Sequence, residues 1–193
     1  RPLIQAIVDV MQPRPGETVC DPACGTGGFL LAAYDYVGEH HTLDRDQWRH
    51  LRQDALHGTE IVDATARLCV MNLYLHGIGH QSERSPIHVD DSLANKPDTT
   101  YDLVLTNPPF GKKSSVTFIT EEGEVKREAQ TIVRDDFWTS TSNKQLNFVQ
   151  HVHKLLKIHG RAAVVVPDNV LFEGGAGEAV RRKLLAESDL HTI

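Results

Sequence analysis

The feature that most restricts the fold is an alternation. Short β-prone runs, each ending in a glycine-rich, acidic or Asn-Pro turn, lead into segments with apolar residues at helical spacing. The opening segment places Leu3, Ile4, Ile7, Val8 and Met11 on one helical face, and Pro13, Pro15 and Gly16 stop it. The run Thr18, Val19, Cys20 then meets a glycine-rich turn at residues 21–28 and flows into Phe29, Leu30, Leu31, Ala32 and Ala33. Residues 40–54 are polar and read as a surface excursion anchored by Trp48 and Leu51. A second strand around Leu56 ends at Glu60, after which Ile61, Ala64, Leu68, Met71 and Leu75 repeat at helical spacing until Gly77 and Gly79. A third strand over 87–89 runs into Asp90, Asp91 and Ser92, and a fourth over 101–106 runs into Asn107, Pro108, Pro109 and Phe110.

Residues 111–144 are polar and lack a core pattern, which predicts a functional or mobile loop. Phe148, Val149, Val152, Leu155 and Leu156 mark a further helix, and residues 162–166 form a continuous apolar run of the kind buried on both sheet faces. Gly174, Gly175 and Gly177 precede a last helix reaching about Glu187, and residues 190–193 resemble the start of another strand. Such alternation predicts an α/β fold: a doubly wound, mainly parallel sheet with helices on both sides.

Composition narrows the function classes. A chain of 193 residues is the size of one domain. With 20 basic against 26 acidic residues its net charge is −6, which argues against gripping nucleic acid by bulk charge. No run approaches the roughly 20 apolar residues of a membrane span, and the first residues do not read as a signal peptide. Three cysteines, an odd number, read as reduced thiols of a cytoplasmic protein. The eleven histidines read as surface residues rather than metal ligands: Gly77 and Gly79 separate His76 from His80, while His151 and His153 point to different sides of their helix. No metal is expected.

In an open parallel sheet, ligands bind beyond the carboxyl ends of the strands, where strand order reverses. The glycine-rich turn offers backbone that a ligand approaches closely and a helix N-terminus. It lacks the lysine of a triphosphate-binding loop. Glu60 stands 39 residues after Asp21, against the roughly 20 of dinucleotide folds, but a carboxylate at that strand end suits a ribose diol.

The sequence Asn107-Pro108-Pro109-Phe110 after the fourth strand, preceded by the glycine-rich turn, resembles the signature of S-adenosylmethionine-dependent amino-methyltransferases. The wording of residues 21–30, 107–112 and 139–148 is most similar to the N6-adenine methylation subunit of type I restriction-modification systems. That resemblance runs along nearly the whole chain. It implies a Rossmann-like class I methyltransferase domain over residues 1–193, cut from a longer subunit at both ends, acting on an adenine flipped out of duplex DNA. It implies a specificity subunit, and possibly a restriction subunit, as partners.

An exocyclic adenine amine is a poor nucleophile, because its lone pair is delocalised into the ring. A catalyst must accept hydrogen bonds from its N–H groups and draw them out of plane. The Asn107 side-chain oxygen and the Pro108 carbonyl are the two acceptors, Pro108 and Pro109 stiffen the backbone that aims them, and Phe110 stacks on the base. The resemblance also implies the cofactor contacts: Arg1, Gly25, Thr26 and Gly27 toward the methionine part, Glu60 toward the ribose, Asp91 with Ser92 toward the adenine, and Asp21, Ala23, Gly28, Ile61 and Asn107 as further cofactor-binding residues. Lys112, Lys113, Lys126, Arg127 and Arg134 follow Phe110 and would close over DNA, although Glu121, Glu122, Glu124, Asp135 and Asp136 dilute their field. The alternatives are a protein glutamine-amide methyltransferase, a non-catalytic binding subunit with the same fold, and a nicotinamide dehydrogenase.

Overall fold

The computed structural model describes residues 2–79, 85–110, 115–119, 125–129 and 131–193. They divide into two compact units, the first holding residues up to Ser92, Pro97–Pro108 and Leu155–Val165, the second holding Leu93–Lys96, Pro109–Lys154 and Val166–Ile193. In the first unit, α1 (Pro2–Met11), β1 (Val19–Asp21), α2 (Gly28–His40), α3 (Arg45–Gln53), β2 (Leu56–Glu60), α4 (Asp63–Leu75), β3 (Ile87–Val89) and β4 (Tyr101–Thr106) follow one another in sequence. The second unit contains the antiparallel hairpin β5 (Ser115–Ile119) and β6 (Val125–Ala129), then α5 (Lys144–Leu155). The chain returns to the first unit as β7 (Leu156–Val164), and α6 (Asn169–Phe172) and α7 (Ala176–Glu187) complete the second.

The sheet of the first unit is parallel throughout, with order β3-β2-β1-β4-β7. Strand order therefore reverses between β1 and β4, which makes that gap the topological switch point. The core beneath it is apolar: Val8, Leu30, Ala33, Cys69, Leu73, Leu103 and Leu105 are all fully buried. The second unit has its own smaller core of Leu146, Val170 and Val180, with Trp138 and Val149 against it.

Four expectations are corrected. Residues 40–54 are not a mere excursion, since 45–53 form α3. Its start is a capping box: Asp44 Oδ1 accepts from the amides of Asp46 and Gln47, and Gln47 Oε1 accepts from the Asp44 amide. The apolar face of α4 is rotated from the one read in the sequence. Leu68, Met71 and Leu75 are exposed, and Ala66, Cys69 and Leu73 are buried instead. The run 162–166 is half-buried rather than covered on both faces, because β7 pairs with β4 alone among the described strands. Residues 190–193 are exposed and form no strand.

Near its start β7 carries a bulge against β4: the register jumps from Tyr101↔Leu156 to Leu103↔Arg161. A side chain at Gly160 would strike the Lys157 carbonyl at 2.9 Å, so glycine is required there. The bulged segment presents the Lys157 ammonium to Asp102 Oδ2 at 2.7 Å. That oxygen also accepts from the Thr18 amide at 2.8 Å and the Thr18 hydroxyl at 2.7 Å, so the amino end of β4 is saturated with donors.

Candidate active site

Parallel pairing in register brings the last residues of β1, β2, β3 and β4 to one edge of the sheet. Asp21 lies opposite Gly58, Glu60 opposite Val89, and Thr106 ends β4 immediately before Asn107. The carboxylates and the Asn-Pro motif singled out in the sequence thus share the carboxyl edge, with the switch point between them.

The glycine-rich turn is held by backbone and by Glu60. The Cys24 amide donates to the Thr59 carbonyl at 3.0 Å, and the Gly25 amide donates to Glu60 Oε2 at 3.1 Å. Glu60 Oε1 accepts from the Val62 amide at 2.9 Å. Two glycines of the turn have positive φ, with different surroundings. Gly25 has φ +53° with no atom within 4 Å of where a Cβ would sit, which leaves open space over the turn. Gly27 has φ +85°, and a Cβ there would meet Cys69 Sγ at 2.9 Å. Asn72 of α4 donates to the Thr26 carbonyl at 3.0 Å, and the Ser92 hydroxyl donates to the Pro22 carbonyl at 2.6 Å.

Asp21 is the electrostatic anomaly of this edge. It is 2% exposed, and its Oδ1 accepts from the Thr106 hydroxyl at 2.7 Å and the Ala23 amide at 3.0 Å. Burial pushes its carboxyl up to about 7; the two donors pull the other way, and the nearby Glu60 adds to the rise. Among the described residues no Lys, Arg or His pairs with it.

Exposure sorts the remaining expected residues. Asn107 and Pro109 are exposed, Pro108 is buried, and the Phe110 ring is 56% exposed. Ile61, directly after Glu60, is also exposed, as are Thr26 and Asp91. Arg1, Lys112, Lys113, Glu121, Glu122, Glu124 and His80 lie outside the described residues. The Asp91 amide turns back to Asp90 Oδ1 at 2.8 Å, an arrangement of the acidic turn itself.

Two readings outside the site need correction. His151 is not a surface histidine: it is buried, and burial together with the adjacent Arg134 charge pushes it down to about 3. Arg134 is not a loop cation free for DNA. It forms an ion pair with Asp136 at 2.6 Å in which both side chains are 5% exposed, and it lies over the Phe137 ring. Cys20, Cys24 and Cys69 are buried free thiols, with Cys69 Sγ 3.9 Å from Cys24 Sγ. Among the described residues no group of three or more His, Cys, Asp or Glu is placed to hold a metal ion.

Sequence reading missed Thr106, Asn72 and Ser92's bond to the turn. Thr106 carried one signal, a hydroxyl at the last position of an otherwise apolar strand, but a strand-end threonine is ordinary without its partner in view.

Known proteins share this sequence pattern and fold. The family model described as N-6 DNA Methylase matches residues 1–193. The chain is 42% identical over 201 residues to the type I restriction enzyme EcoKI methylase subunit of Escherichia coli K12, and 41% identical over 200 residues to the StySPI methylase subunit of Salmonella potsdam. Each alignment covers all of this chain but 35% of the relative, so the chain spans about a third of the length of these relatives. The crystal structure of the EcoKI M protein superposes with a TM-score of 0.79 at 39% identity, over 95% of this chain and 36% of that one.

Proposed function

The chain belongs to the N-6 DNA methylase family, and on that premise we propose that it is the catalytic core of a modification subunit that transfers the methyl group of S-adenosylmethionine to the exocyclic N6 of adenine in duplex DNA. The observation that carries this reading is the shared strand edge, where a buried carboxylate with no cation beside it among the described residues and a second strand-end carboxylate lie on one side of the switch point and the Asn107 motif on the other.

The donor set fits the cofactor. Asp21, held near neutrality by burial, is a carboxylate that a ligand's positive charge would draw into its ionised form. The open space over Gly25 lets a ligand lie against the turn formed with Ala23, Thr26, Gly27 and Gly28. Glu60 accepts from the sugar hydroxyls with Ile61 beside it, and Asp91 and Ser92 receive the purine end. When bound, the cofactor supplies a methyl group on a cationic sulfur, so the reaction needs alignment more than a strong base.

The chain's own residues do the rest. Asn107 Oδ1 and the Pro108 carbonyl accept from the adenine amine and draw its hydrogens out of the ring plane. Pro109 restricts the backbone that aims them, and the exposed Phe110 ring stacks on a base turned out of its duplex, a contact worth about 1–3 kcal/mol. A net charge of −6 leaves most of the grip on DNA to other parts of an assembly, consistent with a specificity subunit and a restriction subunit as partners.

The test is methyl transfer from labelled S-adenosylmethionine by the full-length subunit with its specificity partner, followed by nucleoside analysis. Label in N6-methyladenine is expected. Label in protein glutamine, in another nucleoside, or nowhere would overturn the reading.

A further inference from the structure

Backbone pairing between β1 and β4 covers Val19↔Leu103 and Cys20↔Val104 and extends no further. Beyond it lies the switch point, the place at which open parallel sheets bind their ligands. One contact spans the gap after the ladder has ended: the Thr106 hydroxyl donates to Asp21 Oδ1 at 2.7 Å, with Thr106 fully buried. On its other side Thr106 is paired with Val164 of β7, and its carbonyl accepts from the following Val165 amide at 3.0 Å. The same Asp21 oxygen accepts from the Ala23 amide, inside the glycine-rich turn. A chain of contacts therefore runs from β7 through Thr106 and Asp21 into the turn, and Thr106 is covalently followed by Asn107.

We propose that Thr106 is a positioning residue which, by bridging the switch point to Asp21, holds the glycine-rich turn in register with the Asn107 motif. This rests on the methyl-transfer reading above. Neither a cofactor contact nor a base contact is required of Thr106 itself. Its effect passes through the two residues it ties together.

The groups facing Asp21 are Glu60 from β2, Cys20 beside it, Cys24 in the turn and Cys69 on α4; none is cationic. The Thr106 hydroxyl is thus one of only two donors that favour the ionised carboxylate among the described residues. Removing it raises the pH at which Asp21 ionises, and a cation-binding role for Asp21 makes that rise visible in cofactor affinity.

The experiment compares Thr106→Val, which keeps the shape and removes the hydroxyl, with Thr106→Ser, which keeps the hydroxyl. Both are made in the full-length subunit assembled with its specificity partner. S-adenosylmethionine affinity is measured by calorimetry from pH 5.5 to 8.5, and kcat at saturating cofactor. For Thr106→Val, kcat and affinity at pH 7 each fall about tenfold, and the midpoint of the affinity profile moves to higher pH. Thr106→Ser stays close to wild type in all three. Should Thr106→Val fail to fold, Thr106→Ser must still keep the wild-type midpoint, and Asp21→Asn must abolish the pH dependence of affinity.

A Thr106→Val assembly that matches wild type in affinity, midpoint and kcat would overturn the inference, as would a Thr106→Ser assembly with a displaced midpoint. A wild-type assembly that binds S-adenosylmethionine but methylates no adenine would defeat the functional reading instead, with the Thr106 effect still measured in affinity.

Discussion

The two ends of β4 carry the same chemistry to opposite outcomes. At the amino end Asp102 meets the Lys157 ammonium and two donors from Thr18. Burial alone would raise its carboxyl, yet these partners together hold it down at about 2. At the carboxyl end Thr106 leads to Asp21, which among the described residues has two neutral donors and no cation, and a carboxyl pushed up to about 7. One end is electrostatically complete and the other is waiting for a charge. A buried carboxylate with a raised pKa is the kind of group found at functional sites, and the contrast between the two ends supports the proposed ligand edge. The bulge in β7 sharpens it, because the irregularity there serves to deliver Lys157 to Asp102.

Each prediction attacks one side of that contrast. The largest stability effect belongs to Asp21. Its folded value of about 7 lies above its ordinary 3.8, so the folded state holds the proton longer, and stability falls as pH rises from about 4 through 7. The loss amounts to roughly 3–5 kcal/mol at pH 8. Asp21→Asn removes it, and urea unfolding should find the variant more stable than wild type at pH 8 but not at pH 4. An unchanged pH slope would show that Asp21 is not the poised group.

Next comes Gly27→Ala, which forces a side chain into φ +85° and against Cys69 Sγ. It should cost about 1–2 kcal/mol and weaken S-adenosylmethionine binding by displacing the turn. Smallest is Asp102→Asn. Here the folded value lies below 3.8, so the contribution is complete above pH 4 and lost as pH falls through 2. Discounted for the partial exposure of both partners, about 1 kcal/mol is expected near pH 7, with the difference from wild type vanishing toward pH 2.

Much of this edge was legible in advance because each signal was local. The strand over 101–106 and the turns after Asp21, Glu60 and Val89 are written in consecutive residues, and parallel topology then gathers them without further information. What escaped depends on tertiary partners. α3 has a polar, arginine-rich sequence and only Leu51 fully buried, so its stability comes from the Asp44 cap and one anchored face rather than from an apolar period. α4 is apolar around much of its circumference, so a 3.6-residue period fits either face, and packing against Gly27 and the turn selects Cys69 and Leu73. The burial of His151 depends on tertiary partners such as Arg134, 17 positions away in sequence. Thr106 showed only a strand-end hydroxyl, since its importance is a distance to a residue 85 positions earlier.

The most direct test sets the two ends of the sheet against each other in one assay. Full-length subunits carrying Asn107→Ala or Asp102→Asn, each assembled with the specificity partner, are compared for formation of N6-methyladenine at saturating S-adenosylmethionine. The account predicts that Asn107→Ala loses on the order of a hundredfold or more while still binding cofactor, and that Asp102→Asn stays within about twofold of wild type. Methylation surviving Asn107→Ala, or collapsing in a folded Asp102→Asn assembly, would contradict it.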